Sequence, residues 1–171
     1  DEIHPLRLNN TYTTTKILGE QLCHLYYENH GLSYTTLRLF NAYGPGQGRG
    51  FFIPDMLAKA EDGHIDLSGA NTTKDWVYVD DVARAFVLAL GTSFVGPINI
   101  GTGKETSLSA IANHIAHEKG ATVSFSLTQG ASRMLADPRR AQQVLGWKPT
   151  IDIWRGLERV LGLREEVGAK V

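Results

Sequence analysis

One cysteine, Cys23, stands in 171 residues, so no internal disulfide can staple this chain. Its setting in LGEQLCHLYY reads as that of a small buried hydrophobe. A single thiol fits a reducing, cytoplasmic setting. No apolar run approaches the roughly 20 residues that would span a bilayer. The opening DEIHPLRL is polar and acidic, unlike a secretory leader. Neither sign of charge dominates: the net charge is -1, so no nucleic acid and no anionic membrane is expected as a partner. Repeats, low-complexity tracts and charge blocks are missing too.

A further absence bears on function. Nowhere does G-x-G-x-x-G follow a strand and open a helix. GPGQGRG, from Gly44 to Gly50, is glycine-rich without that spacing. GTGKETS, from Gly101 to Ser107, looks like the end of a phosphate loop, but the place of the first glycine is held by Ile98. It reads as a strand-to-helix turn. No G-x-S-x-G nucleophile elbow occurs. His114 and His117 lie three apart on one helical stretch, without Cys or acidic residues at metal-ligand spacing. They read as a solvated helix face, and no metal is expected.

What remains is an ordinary globular composition, 42% hydrophobic and 20% charged, enough for one domain or parts of two. Strand and helix patterns alternate, which predicts an α/β chain with parallel strands. Helix is predicted from about Thr11 to His30, with Gly31 as C-cap. Its apolar residues Ile17, Leu18, Leu22, Leu25 and Tyr26 recur at helical spacing, and Cys23 and Tyr27 add a second apolar side. Such a helix needs two partners, a sheet and a second subunit. Tyr34 to Phe40 reads as a strand, AYGPGQGRG as a loop and Phe52 to Glu61 as a helix. Strands follow at Ile65 to Ser68, TKDWVYV, PINIG and TVSFSL. Between and after them come helices capped by Asp80 or Asp81, by Ser107, near Pro138 and near Asp152, then a frayed tail, REEVGAKV.

Tyr12 and Lys16 sit four apart at the head of the first helix, so they share a face. An ammonium beside a phenol favours the phenolate, which makes Tyr12 a candidate proton-transfer group. Asn41 directly follows a strand, where open α/β sheets bind ligands. It also suits a turn. Lys74 and Asp75 open a strand after a polar turn and read by themselves as a solvated edge pair.

In order, the segments TYTTTKILGEQL, LRLFNAYGPGQ, FFIPDML, KDWVYVDDVARAFVLAL, PINIGTGKETSL and ADPRRAQQVLGWKPT cover nearly the whole chain. This succession resembles the extended short-chain dehydrogenase/reductase family, especially its NAD-dependent nucleotide-sugar epimerases and dehydratases. Glu2, Pro5, Leu6 and Asn10 resemble the family's lead-in to its Tyr. The resemblance implies the C-terminal part of a Rossmann-type parallel sheet plus a small α/β substrate-binding domain. Residues 1–50 would hold the remaining Rossmann elements and 51–171 mostly the substrate domain, with segments near 75–103 returning to the Rossmann sheet. Tyr12 would be the catalytic acid/base. Lys16 would bind the nicotinamide ribose, and the Phe40 backbone would face the nicotinamide of NAD or NADP. Asn41 would contact the substrate. Lys74 stands where the family usually has an Arg on the substrate diphosphate. A second family Arg is replaced by Leu127, and Arg133 nearby would substitute. Asp80 and Asp81 would be structural.

The expected function is thus that of an NAD-dependent epimerase or dehydratase acting on a nucleotide sugar, homodimeric when complete, with the glycine-rich cofactor loop lying outside these residues. A reductase or decarboxylase of related sugars is the rival within the family. The rival from another class is a truncated, non-catalytic relative serving as a ligand-binding or assembly module.

Overall fold

The computed structural model describes residues 1–126 and 131–163. Leu127 and the REEVGAKV tail lie outside the described residues. Helix α1 runs Thr11–His30. Asn10 caps it, its side chain accepting from the Thr13 amide at 2.8 Å, and Gly31 ends it at φ 67, a left-handed conformation that suits glycine. Next come β1 (Thr35–Leu39), β2 (Asn41–Tyr43), α2 (Phe52–Glu61), β3 (His64–Ser68) and β4 (Thr73–Tyr78). These are followed by α3 (Val79–Ala89), β5 (Gly96–Ile100), β6 (Glu105–Ser107), α4 (Leu108–Lys119) and β7 (Thr122–Ser126). The last elements are β8 (Arg133–Met134), α5 (Arg139–Leu145) and α6 (Ile153–Val160). No helix among the described residues is long and apolar enough to cross a membrane.

The strand predicted to end at Phe40 is β1, and directly after it, reaching into the stretch predicted as loop, β2 serves a different sheet. β1 pairs in parallel with β5, and the Phe40 amide makes a last bond to the Ile100 carbonyl at 3.0 Å. One residue later the chain changes partner: Asn41 pairs with Trp76 as β2 runs parallel to β4. β4 also pairs antiparallel with β6 and parallel with β8, and β3 pairs in parallel with β7. The short strands β2, β6 and β8 were not among the predicted ones. They carry too few residues for a period-two pattern to stand out.

β4 divides two cores. Its Trp76 and Tyr78 enter a cluster with Tyr43, Ile53, Ile111 and Leu157, built from α2, α4 and α6. Val77, pointing the other way, joins Ile98, Ile100 and Trp147 under α3 and α5. Both faces of its C-terminal half, Trp76–Tyr78, are therefore covered, as that apolar run requires.

Three expectations change. Cys23 is exposed, not buried. No residue of α1 is buried: Ile17 and Tyr27 are half-buried, the Tyr27 ring lying 6.3 Å from that of Tyr34, while Leu18, Leu22, Leu25 and Tyr26 are each at least half exposed, so among the described residues much of the helix's apolar surface stays uncovered. His114 does not belong to a solvated face: its ring packs on Trp154 at a 5.3 Å centroid separation, while His117 is exposed beside Glu118. Among the described residues no group of His, Cys, Asp and Glu is arranged to hold a metal.

A fourth change concerns the helix start after β4. The cap position of α3 is Tyr78, without a side-chain bond, and neither Asp80 nor Asp81 caps. Asp80 pairs with Arg159 at 3.2 Å. The buried Asp81 reaches across to the segment before α6, accepting from the Thr150 amide at 2.8 Å, the Thr150 hydroxyl at 2.7 Å and the Ile151 amide at 3.0 Å. Arg84 binds it from its own helix. Burial alone would raise this carboxyl's pKa, but the bonds from Thr150, Arg84 and Ile151 outweigh burial and hold it below the usual value. A depressed folded-state pKa contributes stability that is complete above the unfolded value, about 3.9, and is lost as pH falls through the folded one. Asp81→Asn should therefore lower the free energy of unfolding at neutral pH, with the deficit shrinking as the medium is acidified. Urea titrations of both proteins across that range measure it, and a pH-independent difference would contradict the assignment.

Candidate active site

A cleft of about 750 Å³ opens where the chain changes sheets. Tyr12, Phe40, Asn41, Lys74, Trp76 and Met134 are among the residues lining it. The structure thus brings together four residues singled out from the sequence: Tyr12 from the first turn of α1, Phe40 from the β1–β2 junction, Asn41 from the start of β2, and Lys74 from β4. Lys16 is not in the lining. It stands one turn behind, its ammonium 5.3 Å from the centre of the Tyr12 ring, the geometry of a cation–π contact. Tyr12 is 71% exposed.

Each polar group has a definable capacity. The Asn41 amide nitrogen donates to the Asp75 carbonyl at 2.8 Å and lies 3.6 Å from the Met134 sulfur. Its carbonyl oxygen accepts no bond from the described residues, so an acceptor is left for a ligand hydroxyl. Lys74 makes no ion pair among the described residues, which leaves a positive charge in the cleft. Met134 lies opposite Lys74 in the β4–β8 register.

Arg133 is placed differently. It pairs with Thr73, one residue from Lys74, so strand alternation puts it on the other face. There its guanidinium binds Glu105 at 2.6 Å, and Glu105 also accepts from the Thr73 hydroxyl at 3.0 Å. The hydrogen bond to Arg133 leads the causes that hold the Glu105 carboxyl below its ordinary pKa, and the reciprocal bond raises that of Arg133.

The residue that sequence reasoning missed is Asp75. It is fully buried, not a solvated edge residue. Its carboxylate accepts from the Thr102 amide and hydroxyl, both at 2.7 Å, from the Gly103 amide at 2.8 Å and from the Ala136 amide at 3.2 Å. One side chain therefore joins the β5–β6 turn to the segment after β8. This also explains GTGK, whose Thr102 and Gly103 amides are spent on a carboxylate of the same chain. Gly101 fits beneath because it lacks a side chain: a Cβ there would stand 2.5 Å from that of Ala136 and 3.2 Å from the Phe40 ring. The available signal was weak: Asp75 directly precedes the apolar run Trp76–Val79, and an acidic residue carried into a core must be hydrogen-bonded there.

The model of the NAD-dependent epimerase/dehydratase family matches residues 1–101, and the chain belongs to that family. A putative UDP-glucose 4-epimerase of Methanocaldococcus jannaschii is 36% identical, the match covering 94% of this chain and 55% of the relative. A dTDP-glucose 4,6-dehydratase of Bacillus anthracis, solved with NAD, superposes with a TM-score of 0.84 at 26% identity, covering 94% of this chain and 54% of that one. The UDP-glucose 4-epimerase of Thermotoga maritima, solved with UDP-glucose, superposes with a TM-score of 0.79 at 27% identity, covering 88% and 52%. These neighbours share the Rossmann-type α/β architecture. The chain spans about half the length of the curated relatives it matches.

Removing the Asp75 carboxylate leaves buried donors without an acceptor, each costing roughly 1–3 kcal/mol. Asp75→Ala should therefore destabilise the chain by at least about 3 kcal/mol. Equilibrium denaturation tests this, and a loss within the range of an ordinary surface substitution would contradict the role.

Proposed function

We propose that this chain is the C-terminal, substrate-binding and proton-transfer part of an NAD-dependent epimerase or dehydratase of nucleotide sugars. The observation that carries the reading is the meeting of Tyr12, Asn41 and an unpaired Lys74 in one cleft. Tyr12 and Phe40 at the cleft, with Lys16 one turn behind Tyr12, are the groups that would hold the nicotinamide and its ribose. The pyrophosphate end needs a glycine turn feeding a helix N-terminus, which these residues do not contain. NAD, with NADP as the alternative, would therefore be shared with a nucleotide-binding half. When bound, it supplies the hydride acceptor for a sugar carbon bearing a hydroxyl.

The chain's own residues do the rest. Tyr12 Oη takes the proton of that sugar hydroxyl and returns it when the carbonyl is reduced again. Lys16 holds a positive charge behind the Tyr12 ring. Asn41 accepts a hydrogen bond from the sugar and fixes its orientation, which is where positioning gains rate. Lys74 holds the diphosphate as a point charge, without the bidentate grip of an Arg. Arg133 would add a second charge only by leaving Glu105. The first core cluster, around Tyr43 and Ile53, would belong to the substrate domain. The exposed Leu22, Cys23 and Tyr26 face of α1 suits pairing with a second copy, and the free thiol suits a reducing compartment.

Two measurements on the assembled enzyme test this. Tyr12→Phe keeps the ring and loses the transferable proton, so turnover should fall about 100- to 10,000-fold. Turnover equal to wild type at saturating substrate would remove Tyr12 from the mechanism. Lys74→Ala should weaken nucleotide-sugar affinity by roughly 1.5–3 kcal/mol, the scale of a charge-assisted hydrogen bond. The loss belongs in apparent affinity, because the diphosphate is held alike in ground and transition states. Lys74→Arg should match or exceed wild type. An unchanged affinity in Lys74→Ala would point to a substrate without a diphosphate.

A further inference from the structure

The proton-transfer pair and the binding groups ride on different elements. Tyr12 and Lys16 belong to α1, whereas Phe40, Asn41 and Lys74 belong to the strands. No residue of α1 is buried, so apolar packing within the chain fixes that helix weakly. A polar tether is present instead. Arg38 on β1 grips Glu20 of α1 bidentately, Nε to Oε1 at 2.9 Å and Nη2 to Oε2 at 2.6 Å. Its remaining nitrogen, Nη1, donates to the Glu2 carbonyl at 3.0 Å. Glu2, itself buried, accepts from the Asn99 amide of β5 at 2.8 Å and stands 3.6 Å from Arg140 of α5. One planar guanidinium thus joins the segment leading into α1, the helix, and the strand that ends at the partner switch.

The Arg38 and Glu20 side chains are each about four-fifths covered. The bond from Glu20 raises the Arg38 pKa, so the guanidinium stays charged at every working pH. Arg38 lies two residues before Phe40 and three before Asn41. Its anchor is therefore rigid relative to the cleft, while its other end sits two turns along α1 from Tyr12.

We infer that Arg38 is a positioning residue: through Glu20 it sets α1, and with it Tyr12 and Lys16, at working distance from a substrate held by the strands. This deepens the proposed function and rests on its assignment of Tyr12. It also fixes which kinetic constant should suffer. Loosening α1 displaces the proton-transfer group and leaves the Asn41 and Lys74 contacts in place.

The test is Arg38→Lys, which keeps the charge and loses the fork. In the assembled enzyme kcat should fall about 10- to 100-fold, the effect of misplacing a catalytic group by around 1 Å. KM for the nucleotide sugar should stay within about twofold, since the groups that bind it are untouched. Circular dichroism at the assay temperature supplies the folded fraction, so that a kcat loss explained by unfolding counts against the inference. Glu20→Gln, which loses the ion pair and keeps the side-chain size, takes its place if Arg38→Lys does not fold. A second readout needs no activity. In the 171-residue chain, amide exchange over α1 should quicken about tenfold in either variant while that over α4 stays unchanged. Unchanged exchange over α1, or a kcat within about twofold of wild type, overturns the inference. Tyr12→Phe separates the two claims. If it turns over normally, the reading of the site fails. If it is inactive while the Arg38 and Glu20 variants are not slowed, the site stands and the tether falls.

Discussion

The Asp75 carboxylate accepts four bonds from two segments, one entering β6 and one leaving β8, strands that flank β4. Without that acceptor the β5–β6 turn and the segment after β8 would lose their junction. Phe40, Gly101 and Ala136 meet around it. The chain changes sheets there, and a change of partner within a continuous strand leaves edges that must be covered. Asp75 organises the place where strand ends, a helix start and an unpaired lysine converge, without itself lining the cleft. A buried carboxylate is costly to hold, and its retention here buys a fixed geometry for groups that must act together.

A second acidic residue does the same work at the other end of the molecule. Asp81 ties the start of α3 to the approach of α6, as Asp75 ties two loops near the cleft. Both are single side chains serving backbone amides from distant sequence, in a chain whose one cysteine allows no internal disulfide. In the proposed reading the cleft would draw its substrate-binding groups from strands and its proton-transfer groups from one helix. That separation lets affinity and turnover be set by different parts of the fold.

Much of this was legible in the sequence because period and punctuation agreed. The bounds of α1 followed from its apolar spacing and from Gly31, and Ser107 and Asp152 mark helix starts as their residue types suggest. Tyr12, Phe40, Asn41 and Lys74 were placed by a resemblance that their order supported, and they meet in one cleft. The failures have a common cause, which is that local pattern carries no information about distant partners. Asp80 and Asp81 follow a strand and precede a helix, so capping was the local reading, yet the bonds of Asp81 come from residues about 70 positions away. Cys23 was read as a buried hydrophobe from its apolar neighbours, yet it is exposed. Arg133 was near enough in sequence to serve a diphosphate, but alternation along β8 turned it to the opposite face.

The central claim is that the partner switch assembles one cleft in which a nucleotide sugar meets Tyr12 and Lys74 together. A crystal structure of the assembled enzyme with NAD and a nucleotide sugar tests it most directly. The account predicts a sugar hydroxyl within hydrogen-bond reach of Tyr12 Oη, the Asn41 carbonyl oxygen on the same sugar, and the diphosphate beside the Lys74 ammonium. A nucleotide sugar bound with its sugar away from Tyr12, or with its diphosphate remote from Lys74, would contradict it.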